Sequence, residues 1–268
     1  MRPRDVHLLR QPDRGHRGGA FLPHRSISRL HLPPWRMAVG VLMAVAFTLV
    51  LAWLQPWVAS VWGAQLVWWM HALPLPGQFA PAESGPRDLF SLVVPLIDLQ
   101  LRNTGPVEPT LHALVALSVW VAAGWLSDSA KPAAFLLRLG ALIHGAAAIY
   151  FQLWPASFPH SLISHTGGGL RQSWALMVLT PWLHLCTYYL FPFALWQRLA
   201  LTSLTLVFLV VLAPLQYATH VALLYQLGLI VMPLLHLLFG VMIPILGFVA
   251  LYGWGMSWHD PAQAEAQD

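Results

Sequence analysis

Thirteen histidines in a chain of 268 residues, beside ten carboxylates and one cysteine, put imidazole first among the groups that could do chemistry. His144, His184 and His236 each fall near the middle of a different apolar stretch. An ionisable side chain at bilayer depth is costly and marks a functional site by default. If the three converge, they could hold a b-type haem or a divalent metal, or pass protons. The alternative is that each ring is neutral and hydrogen-bonded to a neighbouring helix. His184 and Tyr188 are four apart and share a helical face, whereas Cys186 points away from His184. That geometry disfavours a His–Cys nucleophile pair. Cys186 itself reads as a small core residue, because a thiolate deep in a span is costly.

A second group is expected to gather at the outer face of the membrane: His71, His112, His160, His165 and His220, with Asp98 and Glu108 nearby in chain order. Histidines with carboxylates in loops could bind zinc or copper. The segment PHSLISHTGGGLR adds two serines, a glycine run whose N–H groups could face an anion, and Arg171. His160, His165 and Arg171 are thus the candidate catalytic set of an outer-face lipid-modifying enzyme. The competing reading is a flexible surface connector, since Gly- and Ser-rich runs of this kind commonly join elements.

The elements that position these residues are apolar helices. The composition is 57% hydrophobic and only 9% charged, with a mean hydropathy of +0.62. Such a chain suits lipid rather than water as its main solvent. Five apolar stretches are long enough to cross a bilayer, and the last, Leu199 to Tyr252, is long enough for two crossings. The expected fold is all-α: a polytopic transmembrane helical bundle of about six spans with a short extended outer segment. The spans are expected near Met37–Leu54, Leu111–Leu126, Ala133–Leu153, Ser173–Phe193, Leu199–Ala218 and Leu227–Tyr252. Pro56 should kink or end the first span. The tryptophan-rich piece Trp57–Leu73 then either lies along the outer interface or crosses again. The polar connection Pro74–Pro109 contains DLFSLVVPLIDLQL, which is partly alternating, with Pro95 demoting it to an edge strand or extended loop. Gly140, Ala141, Gly145 and Ala146 give the third span a small-residue face for close packing. Arg138, one turn inside that span, can snorkel to the interface.

Eight of the fourteen basic residues precede Met37. Basic residues just before a first span hold that end in the cytoplasm. Residues 1–36 therefore read as a basic, disordered cytoplasmic segment, 37–256 as the transmembrane helical domain, and 257–268 as a short cytoplasmic tail. Lys131 and Arg198 fall in cytoplasmic turns on this orientation, and the Pro74–Pro109 and Trp154–Gln172 loops face outward. The long basic region does not fit a cleavable signal peptide, and Met37 is an alternative start. One cysteine rules out an internal disulfide framework. The expected partners are the lipid bilayer and other membrane proteins, with no nucleic acid.

Two stretches carry a resemblance. LVVPLIDLQLRNTG leads within a few residues into PTLHALVALSVW, and LLYQLGLIVMPLL has a Tyr-Gln…Gly…Pro cadence. Both resemble the exosortases and the small exosortase-associated membrane proteins of bacterial envelope protein sorting. Exosortases use an outward-facing cysteine with arginine and histidine partners, and Cys186 does not fit that pattern. The resemblance therefore implies an accessory role. The functional expectation is a non-enzymatic multi-pass inner-membrane protein of a bacterial envelope, protein-sorting or surface-polymer pathway. The alternatives are a haem- or metal-binding membrane protein and an outer-face lipid-modifying enzyme.

Overall fold

The computed structural model describes residues 34–80, 89–90, 92–93, 96–101, 104–190 and 193–258. Most of the basic segment, Pro95, and the tail beyond Trp258 lie outside them. The chain divides into two units, Met1–Val39 and Gly40–Asp268. Of the first, residues 34–39 are described, and they are helical.

The fold is all-α, as the apolar patterning predicts. Its helices are α1 (Pro34–Ala72), α2 (Glu108–Ala122), α3 (Lys131–Leu153), α4 (Leu162–Leu190), α5 (Leu195–Leu227), α6 (Met232–Leu235) and α7 (Ile243–Met256). A π-helical turn, His236–Met242, joins α6 to α7. Strands β1 (Gln78–Ala80) and β2 (Leu96–Asp98) pair antiparallel, Gln78 opposite Asp98.

Among the described residues, four helical segments are long and apolar enough to cross a membrane: Met37–Ala72, Asp128–Leu153, Leu195–Leu227 and Leu229–Met256. The sequence leads one to expect about six, two more than these four. The two that fall short do so for different reasons. The 15 residues of α2 span only about 22 Å at 1.5 Å per residue, against a hydrocarbon core of about 30 Å. The 29-residue α4 is long enough, but Thr180, Pro181, His184, Thr187 and Tyr188 dilute its apolar run.

A correction concerns Pro56, which does not end the first helix. α1 continues for 39 residues with Pro56 inside it. The reason is packing beyond the proline. Val58, Trp62, Leu66 and Met70, each four apart, form one buried stripe in the main core. The Trp62 indole N–H donates to the Val210 carbonyl at 2.9 Å. That carbonyl stands four residues before Pro214, which has no N–H to offer it. Trp57–Leu73 is therefore part of the bundle and not a separate surface helix.

α2 packs antiparallel on α3, where Thr110 meets Gln152 at 3.4 Å and Gly145 faces Ala116, and the Trp182 indole of α4 donates to Thr48 of α1 at 3.1 Å. The small face of α3 is used inside the bundle, where a Cβ on Gly145 would stand 3.6 Å from that of Ala116 on α2. The described part of the extended segment packs against the bundle. Leu92, Leu96, Ile97 and Leu99 are buried in the core, and the Trp174 indole donates to the Leu89 carbonyl at 2.8 Å.

Candidate functional site

α4 begins earlier than the sequence suggests, and this decides where several candidate residues sit. Ser161 and Ser164 form a reciprocal cap: the Ser164 N–H donates to Ser161 Oγ at 3.2 Å, and the Ser161 N–H to Ser164 Oγ at 3.0 Å. Two orphan donors are satisfied at once, which nucleates the helix at Leu162. The Gly167–Gly169 run is consequently helical, not a flexible connector. The glycines are there for close approach. A Cβ on Gly169 would fall on the Tyr217 ring of α5, and one on Gly167 would stand 3.0 Å from Leu96 of β2.

With the helix in place, His165 reaches α5. Its Nε2 lies 3.2 Å from Nδ1 of His220, and the two rings stack at 5.3 Å. His236, the first residue of the π-helical turn, presents its ring edge to His165 at 5.8 Å. His236 is exposed, whereas His220 is completely buried. His220 also meets the backbone of Leu235, at the last residue before the π-helical turn. Tyr217 packs edge-on against His220 at 5.3 Å.

Two further clusters are separate. His112 Nδ1 lies 2.9 Å from His144 Nε2 across α2 and α3, and His144 Nδ1 is buried without a partner. At the other end of α4, His184 Nδ1 lies 2.9 Å from Thr202 Oγ1 and 3.1 Å from the Tyr188 hydroxyl. That hydroxyl donates to the Arg198 carbonyl at 3.1 Å, and the Arg198 guanidinium stands over the Tyr188 ring at 5.8 Å.

The sequence groups are thus redistributed. His144, His184 and His236 belong to three different clusters. Of the outer set, His165 and His220 meet, whereas His112 goes to His144. His71 is exposed at the end of α1, and exposed His160 packs its ring on Phe158 at 5.5 Å. Arg171 is exposed on α4, and Cys186 is exposed rather than a core residue. Arg138 stacks over Trp120 at 5.8 Å.

Chemically, a ring-to-ring N···N hydrogen bond needs one bare nitrogen, so at least one imidazole of each pair is neutral. Among the described residues, no group of three or more His, Cys, Asp or Glu side chains stands at metal-holding distances. What the histidines do have is a polar continuation. On α4, His165, Gly169, Ser173, Met177, Thr180, His184 and Tyr188 recur every three or four residues. On α5, Arg198, Thr202, Thr205, Leu209, Ala213, Gln216 and His220 do the same. Two such rows on antiparallel neighbours form a seam along the bundle. This periodicity was present in the sequence as a polar stripe in apolar text. It escapes a search for motifs because no two of its polar residues are adjacent.

No family model, no curated protein and no solved structure matches this chain.

Proposed function

We propose that the chain is a non-enzymatic multi-pass membrane protein, an accessory component of a bacterial envelope, protein-sorting or surface-polymer pathway. It sits in the inner membrane with both termini in the cytoplasm, and its partners are other membrane proteins. The observation that carries this reading is the outer clasp. Leu92, Leu96 and Ile97 are buried in the bundle core, yet Phe79, Phe90 and Val93 remain exposed. These side chains stand on loops and a hairpin, not on lipid-facing helices. Apolar surface outside the lipid belt suits coverage by another protein. The exosortase-associated resemblance runs through the same segment.

The antiparallel contacts support a finer topology. α2 gains a 3₁₀ turn, Ala123–Trp125, which lengthens it to about 28 Å, close to the hydrocarbon thickness. In this reading α2 and α4 cross together with the four longer segments. The clasp, residues 154–161 and Gly228 then lie on the outer side, and residues 127–130 and 193–194 on the inner side.

The test is purification from mild detergent with the native membrane as source. A stoichiometric membrane partner is expected for the wild type, lost on Phe90→Ser/Val93→Ser with the fold retained. A lone monomer in both would contradict the accessory role.

A further inference from the structure

The seam between α4 and α5 runs from one end of the bundle to the other. We infer that it is a proton path across the membrane. At the outer end stand exposed His236, half-buried His165 and fully buried His220. Next along the seam, the Tyr217 hydroxyl hydrogen-bonds Ser173. Ser173, Gln172 and Gln216 then open on a cavity of about 210 Å³ between α4, α5 and the π-helical turn. Its floor reaches Leu179, Leu209 and Pro244. Below it lie the buried hydroxyls of Thr180 and Thr205, which donate to carbonyls of their own helices at 2.8 Å and keep lone pairs to accept. The inner end is the His184–Thr202–Tyr188 cluster, closing on the Arg198 carbonyl.

The bland explanation for polar groups between membrane helices is adhesion through hydrogen bonds. It does not account for the open space in the middle of the seam, lined by Gln172, Ser173 and Gln216 at the level of the π-helical turn. His220 can serve there as a relay imidazole, taking a proton at one nitrogen and releasing one at the other. The π-helical turn beside it widens the helix at this level, a local irregularity that frequently marks functional sites. The cavity supplies the middle of the path, with room for several waters anchored on the two glutamines and Ser173. Each transfer moves one proton from donor to acceptor. The net event is one H⁺ carried down its gradient, with nothing oxidised or reduced.

The experiment uses the full chain in sealed vesicles holding a pH-sensitive dye, with a potassium–valinomycin potential as the driving force. Proton entry above that of protein-free vesicles is expected. His220→Phe and His184→Phe should each lower it at least tenfold, and His112→Phe, outside the seam, should leave it unchanged. Thr202→Val and Tyr188→Phe remove hydroxyls at nearly constant volume and should also lower it, which covers a folding failure of the histidine variants. Flux no greater than in empty vesicles would overturn the proposal. So would flux unchanged in the seam variants, or sodium or potassium movement in place of protons.

Discussion

Single side chains in this protein repair what prolines and glycines do to helices. Pro214 orphans the Val210 carbonyl, and Trp62 satisfies it from α1. Trp62→Phe should therefore destabilise the protein by about 1–2 kcal/mol in detergent, the cost of a buried carbonyl left unpaired. The loss should shrink in a Pro214→Ala background, where residue 214 has an N–H of its own. Thermal unfolding of the four proteins of this cycle checks it, and equal losses in both backgrounds would dismiss the repair. At Gly169 the constraint is space. Gly169→Ala drives a methyl into the Tyr217 ring and should cost about 1–3 kcal/mol by overpacking. In a Tyr217→Ala background the same substitution should be neutral or stabilising, because alanine favours a helix interior over glycine.

Elements start and stop here by local chemistry that apolar patterning does not report. α4 opens on the Ser161–Ser164 cap, so Ser161→Ala should lose about 1 kcal/mol of stability and fray the helix towards Gly167. Hydrogen exchange of the amides from Leu162 to Gly169 would register it. α5 closes at Gly228, whose φ of 77° and ψ of 178° suit only glycine. Gly228→Ala should cost about 1–3 kcal/mol, a loss absent from Gly253→Ala, where a methyl meets open space. The apolar stretches announced the helices and the all-α fold well. Their ends were less legible. The serine cap was hidden in a segment whose glycines read as a connector, and Pro56 read as a stop because the buried stripe beyond it depends on a partner helix distant in sequence. The same limit applied to the site. His165 and His220 are both legible as members of the outer set, whereas His236 reads as one of the midplane histidines. Pairing them requires the register of α4 against α5, which Gly169 and Tyr217 set.

At the scale of the whole molecule, lipid-facing and protein-facing surfaces are both apolar, and the polar seam is what tells them apart. Leu42, Leu49, Val207, Val211, Leu246 and Val249 are exposed on the bundle while His184, Thr202 and His220 are buried within it. A water-soluble protein would invert that arrangement. In the proposed topology α2 and α4 cross the bilayer with the four longer segments, so that the seam joins one side of the membrane to the other. Labelling with a membrane-impermeant maleimide tests it most directly, using single cysteines at the exposed positions Pro76, Ser129, Ser157 and Ser257 in a Cys186→Ala background. In intact cells Pro76→Cys and Ser157→Cys should label, whereas Ser129→Cys and Ser257→Cys should label only after the membrane is opened. If Pro76→Cys and Ser129→Cys label from the same side, α2 does not cross, and the account of a seam spanning the membrane is contradicted.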